Sequence, residues 1–443
     1  MRRWLVLVPL ALLAAPLTAE EPARKNVLLI TADTLRAQAV EDTYTPHLDH
    51  LAAEGVRFDR AYTPITTTLP AHASIFTSLY PRDHRAYSNV SRLSSKVTTL
   101  AEVLDGLGWE TACHINMPWL NPDASNVPQG FRTIRRGDRI RKADKTNPWV
   151  IDFLAKEHED PWLLWVHYVD NHTPYHAPGS YDDMYTSEQK NELADVWRYF
   201  PPDHQESEHM ISWLDGVEYA EEVVDDYHGS ATWIDAHVGQ IVWELKRTGQ
   251  WDDTLVVFTS DHGESMGEHD LWFVHAGLFE QTTRVPLIVR DPGGPAGVEV
   301  DTVVSTIDVM PTVLNRLSAP TPDGVRGADL WQVLDADGGG VAYLEHTGRQ
   351  LTGVVTERWK YIRHDKTNRI YSGYPMNAGT LELYDLSADP DELVNLAAEM
   401  PDRVAELEAL MTRLEAGERG FEELTYEVDE DMREALRAMG YVE

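Results

Sequence analysis

Three apolar runs in this chain end on side chains that bind hard or borderline cations. NVLLITAD closes on Asp33 with Thr34 next. The run from Pro161 to Asp170 carries His167 and Asp170 at its end with His172 just beyond, and DTLVVFTSDHGE carries Asp261 and His262. Carboxylates combined with imidazoles suit Ca2+, Mg2+, Mn2+ or Zn2+ rather than a soft thiolate metal. A single aspartate at such a position is most often a helix cap or a solvated loop residue. Coincidence at three run ends points instead to one shared site.

A different chemistry is written in TTTLPAHASIFTSLYP. Pro70 fits the first turn of a helix, which makes Thr68 or Leu69 the entry position of an amphipathic helix running to about Leu79. A hydroxyl there lies over free backbone N–H groups at the positive end of the helix dipole, where oxyanions bind and an alkoxide is favoured over an alcohol. Thr68 serves equally as a plain cap. To act as a nucleophile it needs activation, which direct coordination to a divalent cation supplies.

These residues need a scaffold that brings distant run ends together. The run from Asn26 to Asp33 is continuously apolar, as in a strand buried on both faces. It precedes TPHLDHLAAEG, a helix with Pro46 at its start and Gly55 past its end. VTTLAEVLDGLG reads as a helix, WETACHIN as a strand, PWLLWVHYVD as a buried strand, Glu218 to Arg247 as a long helix and DTLVVFTSDHGE as a strand. RVPLIVR and a helix around Asp308 to Leu317 complete the series. This alternation predicts an α/β fold with a doubly wound, mostly parallel sheet flanked by helices, and such sheets bind ligands at the carboxyl ends of their strands. Residues 176 to 215, aromatic and acidic without a clean period, read as an insertion near the site mouth. After about residue 340, VAYLEHT, LTGVVTERWKYIRH and TLELYDLS give three strand-like runs before a helix from Pro401 to Glu415, predicting a small C-terminal antiparallel sheet with a packed helix.

Composition narrows the partners. The 443 residues carry a formal net charge of -35, which repels nucleic acid and anionic membrane over most of the surface. A small anionic ester remains possible where a cation, arginine and histidine reverse the field locally. MRRWLVLVPLALLAAPLTAEEP has a basic start, a short apolar stretch and small residues near Ala15 and Ala19, the pattern of a signal peptide over 1–19. Periplasmic or secreted export is therefore expected, with no stable membrane span after cleavage. The lone Cys113 excludes an intramolecular disulfide. Oligomeric state carries no sequence signal.

The chain resembles the sulfatase family of the alkaline-phosphatase-like superfamily. The similarity runs in family order through NVLLITADTLR, TPHLDHLAAEGVRFDRAYT, TLPAHASIFTSLYP, HYVDNHTPYHAP, TLVVFTSDHGE, RVPLIV, ERWKYI and ELYDLSADPDELVNLA. This resemblance implies that Asp33, Asp261 and His262 ligate one divalent metal, with Thr68 bridging the metal and the substrate's central phosphorus or sulfur. It places His172 and His275 where the family has substrate-contacting His or Lys. His269 lacks a complete second ligand set around it. A catalytic domain over 24–340 and a C-terminal α+β subdomain over 341–443 follow from the same comparison.

The departures from the family pattern concern the nucleophile. Family sulfatases carry a Cys-x-Pro-x-Arg core whose cysteine is oxidised to formylglycine, whereas this chain reads Thr68-Leu69-Pro70-Ala71-His72. Threonine is not a substrate for that oxidation, His72 replaces the arginine that holds the nucleophile, and Thr34 stands where many sulfatases have a second aspartate ligand. The remaining set resembles one metal site of the superfamily's phosphatases, phosphodiesterases and phosphonate hydrolases. A threonine phosphate is resolved by water attack more readily than a threonine sulfate, so phosphate or phosphonate esters are favoured over sulfate. Two alternatives remain: a non-catalytic anion-binding protein, and a transferase of phospho-groups. His262 favours Mn2+ or Zn2+ over an all-oxygen Ca2+ site.

Overall fold

The computed structural model describes residues 25–136, 142–175, 177–200, 205, 208–334, 339–369, 371–417, 420–426, 428, 430 and 432–433. The expected signal peptide lies outside them. Strands β1 (Asn26–Ala32), β2 (Val56–Phe58), β3 (Glu110–Ile115), β4 (Thr133–Arg136), β5 (Trp162–Tyr168), β6 (Thr254–Ser260), β7 (Leu287–Arg290) and β8 (Val298–Val300) form one sheet in the order β8-β2-β7-β6-β1-β5-β3-β4. The five strands from β6 to β4 run parallel. Only β7 opposes its neighbours β6 and β2.

Alternation along β1 explains the double winding. Val27 and Leu29 face helices α2 (Thr68–Thr77), α3 (Leu100–Gly106) and α6 (Val309–Arg316), meeting Leu69, Phe76, Leu104 and Leu314. Leu28 and Ile30 face α1 (Pro46–Ala53), α4 (Ala143–Leu154) and α5 (Ala220–Arg247), meeting Leu48, Phe153, Ile234 and Val238. All four β1 side chains are fully buried. Truncating one, as in Leu29→Ala, costs roughly 2–5 kcal/mol and loosens the strand that presents Asp33.

RVPLIVR is not one strand of the parallel series. Pro286 has no N–H for the ladder, so the run divides there. Arg284–Val285 pairs with Ala61–Tyr62 in a separate small sheet, and Leu287–Arg290 becomes the antiparallel β7. Within 176–215 the described residues form short helical turns, among them Gly179–Tyr181, Leu193–Val196 and Trp197–Tyr199. No helix among the described residues is long and apolar enough to cross a membrane.

The C-terminal region has four strands where three runs were expected: β9 (Ala342–Glu345), β10 (Leu351–Val355), β11 (Trp359–His364) and β12 (Leu381–Asp385), all antiparallel. A turn after Val355 splits the middle run, closed where the Thr356 N–H donates to the Trp359 carbonyl at 2.8 Å. One face of this sheet packs Leu344, Leu351 and Ile362 on Tyr62, Leu278 and Phe279. The other packs Val354, Tyr361 and Leu383 on Leu407 and Met411 of α7 (Pro401–Glu415). The sheet therefore shares its core with the larger body.

Candidate active site

Parallel pairing sets Ala32 of β1 opposite Ser260 of β6, so the next residues, Asp33 and Asp261, emerge side by side. Asp33, Asp261 and His262 are fully buried, and each offers an atom within 4.8 Å of the others. Thr34 follows in left-handed backbone at φ 57°, a costly conformation for a β-branched residue. That twist aims its N–H at Asp261 Oδ1, 3.2 Å away, while its hydroxyl lies against the carbonyls of Asp33 and Asn171. The Thr34 side chain thus braces the backbone.

The donor atoms left over fit a divalent cation. Both Asp33 carboxylate oxygens, Asp261 Oδ2 and His262 Nε2 are buried without a hydrogen-bond partner. His262 donates its Nδ1–H to the Gly263 carbonyl at 3.0 Å, which fixes the tautomer and leaves Nε2 with a bare lone pair. That Nε2 lies 3.6 Å from Asp261 Oδ2 and 3.9 Å from Asp33 Oδ1. Such separations are too long for hydrogen bonds, yet they suit ligands sharing an ion at about 2.0–2.3 Å. Burial pushes Asp33 up to about 8 and Asp261 well above the carboxylate range, and it pushes His262 down. Two ionised carboxylates this close need a positive charge between them.

Helix α2 brings Thr68 to the same place. Thr68 is its first residue and Thr67 its cap. The Thr67 hydroxyl, however, bonds to the Thr347 hydroxyl and not to the helix. Thr68 Oγ1 is buried without a hydrogen-bond partner. The Leu69 N–H donates to Asn89 Oδ1 at 3.0 Å, leaving Asn89 Nδ2 buried and unsatisfied beside it.

His72 holds Thr68 differently from the expectation. Its Nδ1 is 2.8 Å from the Thr68 carbonyl and 3.7 Å from Asp261 Oδ2, while Nε2 is 3.0 Å from Thr31 Oγ1. Nδ1–H donates to the carbonyl and Nε2 accepts from Thr31. Burial, then the nearby His167, hold the ring well below its ordinary pKa, so it is neutral. It anchors the helix turn rather than the hydroxyl.

The end of β5 divides its residues. His167 Nε2 lies 3.5 Å from Asp33 Oδ2, with neither ring nitrogen hydrogen-bonded and its pKa pushed down to about 3 by burial. Asp170 turns away: both its oxygens are 3.1 Å from the Ala143 N–H at the start of α4. It is a helix cap. His172 stands 6.3 Å from His275 between ring centroids. His275 in turn is 4.7 Å from His262, and its Nδ1 is 3.6 Å from Glu264 Oε1. Burial alone would lower the His275 pKa; the Glu264 carboxylate, with Asp33 and Asp261, outweighs burial and raises it. His269 is stacked on Phe279 at 3.7 Å, outside the ligand set.

The sequence profile of the Sulfatase family matches residues 25–319. The chain belongs to the sulfatase family. Membership places this chain among ester hydrolases, within the alkaline-phosphatase-like superfamily. A second profile, N-sulphoglucosamine sulphohydrolase, C-terminal, matches residues 267–417. The chain is 26% identical to the multifunctional alkaline phosphatase superfamily protein PehA of Trinickia caryophylli, over 85% of this chain and 92% of that one. It is 28% identical to the choline-sulfatase of Rhizobium meliloti, over 84% of this chain and 82% of that one. Its fold matches the phosphonate monoester hydrolase of Agrobacterium radiobacter with a TM-score of 0.71 at 23% identity, covering 92% of this chain and 98% of that one.

Glu264 and Asn89 carried no prediction, and His167 was noted only as a strand-end residue. Glu264 stands two positions beyond His262, where its contact with His275 depends on a loop returning from Gly267. Asn89 lies far from Thr68 in sequence and has no local signature.

Proposed function

We propose that this sulfatase hydrolyses phosphate, phosphonate or sulfate monoesters or diesters of a small alcohol, phosphorus esters preferentially, with one divalent cation held by Asp33, Asp261, His262 and the Thr68 hydroxyl. One observation carries the reading: both Asp33 oxygens, Asp261 Oδ2 and His262 Nε2, just beyond β1 and β6, are buried without partners, as is Thr68 Oγ1 at the start of α2, and His72 Nδ1 links the two groups, 2.8 Å from the Thr68 carbonyl and 3.7 Å from Asp261 Oδ2. A divalent cation there supplies charge neutralisation for the ester and acidity to the hydroxyl.

In this scheme Thr68 Oγ1, its proton already given up to solvent, forms the bond to phosphorus or sulfur as the bond to the leaving oxygen breaks, and it is later released in the same deprotonated state. His275, held charged beside Glu264, gives its proton to that oxygen. His172 and Asn89 Nδ2 offer hydrogen bonds to the peripheral oxygens. Water then attacks the same centre, its proton returns to His275, and Thr68 is released. His72 fixes the turn that carries Thr68, and His167 lies beside Asp33 without bonding it.

The preference for phosphorus rests on the threonine itself, and the similarity to PehA supports it. We also assign catalysis to residues 24–340 and a supporting role to 341–443, and export to the periplasm or exterior on the strength of 1–19. The test is metal analysis of purified protein together with a side-by-side screen of phosphate monoesters, phosphodiesters, phosphonates and sulfates. Thr68→Ala should lower turnover by about three orders of magnitude or more. Unchanged turnover would remove Thr68 from the reaction, and tight anion binding without turnover would favour a binding protein.

A further inference from the structure

The C-terminal sheet reaches the nucleophile segment through one turn. Ile65, three residues before Thr68, bridges to Glu345 at the end of β9, and the Glu345 N–H donates to the Pro64 carbonyl at 2.8 Å. Two residues on, Thr347 takes the hydroxyl of the α2 cap Thr67. Arg349 then extends over the Tyr87 ring, 5.8 Å from its centroid, on the loop that carries Asn89. The turn is tightly shaped: the His346 N–H donates to the Leu351 carbonyl at 3.0 Å, and both Gly348 and Arg349 are left-handed, at φ 66° and 56°. Left-handed backbone at a bulky arginine is uncommon outside positions that the surroundings over-determine.

His346 is the buried side chain of this turn. It is 5% exposed, and its Nδ1 is buried without a hydrogen-bond partner. Burial, and then the neighbouring His275, push its pKa down to about 4, so it is neutral and within electrostatic reach of His275. His346 thus sits between Glu345, which bridges to Ile65, and Thr347, which bonds to Thr67, on the turn that lies against the nucleophile segment. A neutral imidazole presents one N–H donor and one lone pair. That pair matches a hydroxyl, which also donates and accepts, and offers nothing extra to a nitroaromatic ring.

We infer that the His346–Arg349 turn forms part of the substrate cleft and that His346 hydrogen-bonds a hydroxyl on the alcohol portion of the ester, selecting hydroxylated leaving alcohols such as polyols or sugars. This rests on the ester-hydrolase reading above. It makes the C-terminal sheet a source of specificity as well as a support.

The test compares wild type, His346→Ala and His346→Gln on glyceryl and 4-nitrophenyl esters, each as phosphate and as sulfate. For the glyceryl ester that wild type turns over, His346→Ala should raise KM about tenfold, the worth of one hydrogen bond, with kcat little changed. His346→Gln should recover part of it, and KM for the 4-nitrophenyl ester should stay within about twofold. Equal changes on both alcohols, or none on the glyceryl ester, overturn the role of His346 while ester hydrolysis stands. No turnover of any ester by wild type overturns both. Should His346→Ala fail to fold, His346→Phe keeps the ring and removes both hydrogen-bonding nitrogens; it should give the same selective rise in KM, and an unselective effect overturns the inference.

Discussion

Glu264 Oε1 lies 3.6 Å from His275 Nδ1, and the other Glu264 oxygen accepts the Tyr175 hydroxyl at 2.9 Å. A carboxylate fixed from both sides orients the imidazole and stabilises its protonated form. Glu264→Gln keeps the shape and removes the charge. Turnover of esters with poor alkoxide leaving groups should fall roughly 10- to 100-fold, while activated aryl esters change little, because only the former need the proton. The sign of the pH effect is fixed as well. His275 donates only below its pKa, Glu264 raises that pKa, and so the basic limb of kcat/KM should move to lower pH in the variant. A uniform loss across leaving groups, with an unmoved limb, would assign Glu264 to structure alone.

Burial raises the pKa of both Asp33 and Asp261, and the Asp33 carboxylate beside it raises that of Asp261 further. Without a cation the pair is a liability, and with one it is a binding site. Asp261→Asn should therefore abolish stoichiometric metal in elemental analysis and raise the Tm of the chelator-treated protein above that of chelator-treated wild type. Wild type should regain stability on adding Mn2+ or Zn2+, by about 2.7 kcal/mol at a hundredfold excess over Kd. A chelator-treated variant that melts below wild type would contradict the repulsion on which the site assignment rests.

The sheet and the meeting of Asp33 with Asp261 and His262 were legible because a strand buried on both faces is a continuous apolar run, and the polar residue ending it is the one that reaches solvent or ligand. Asn26 to Asp33 and Thr254 to His262 follow that rule. Asp170 obeys the same pattern, yet its carboxylate goes to the start of α4. Nothing within VHYVDNH distinguishes a ligand from a cap, since the choice depends on where a helix that starts 27 residues earlier is docked. His72 shows a second limit. Its place one turn after Thr68 predicts proximity, but whether it touches the hydroxyl or the carbonyl depends on the side-chain rotamer and on Thr31 of another strand. Contacts made across folded loops, such as Glu264 with His275, leave no trace in local spacing.

Lys360 is fully buried between Glu280 at 2.7 Å and Glu392 at 2.8 Å, joining β11 to the segment that follows His275. Lys360→Met preserves most of the packing but leaves Glu392 without its cation and Glu280 with Arg284 alone, at 3.4 Å. Removing one partner of such a cluster typically costs about 3–5 kcal/mol. The expected result is a marked drop in Tm. The triple replacement of Lys360→Met with Glu280→Gln and Glu392→Gln should recover part of it, because no uncompensated charge remains. A Lys360→Met protein as stable as wild type would mean that the cluster does not hold the C-terminal sheet in place.

His84 gives a stability prediction away from the cation ligands. The ring is fully buried, with Nε2 3.0 Å from Ser74 Oγ and Nδ1 accepting the Ala86 N–H at 3.1 Å. Burial pushes its pKa down to about 3, so the folded protein holds it neutral. In the unfolded chain it titrates near the ordinary value of about 6.5. Below that pH the unfolded state therefore binds more protons, and stability rises with pH through this window. The contribution is complete above about 6.5 and is lost progressively as the pH falls toward 3, reaching about 3 kcal/mol at pH 4. His84→Gln cannot titrate, while its amide retains a donor for Ser74 and an acceptor for Ala86. Its stability should be lower than wild type at pH 7.5 if the amide fits less well, but its decline between pH 6.5 and 4 should be shallower by that amount. Denaturant unfolding across this range reads the slope directly, and because His346 shares the direction, some acid sensitivity should persist in the variant. Parallel pH profiles for the two proteins would show that His84 accepts a proton in the folded state as readily as in the unfolded one.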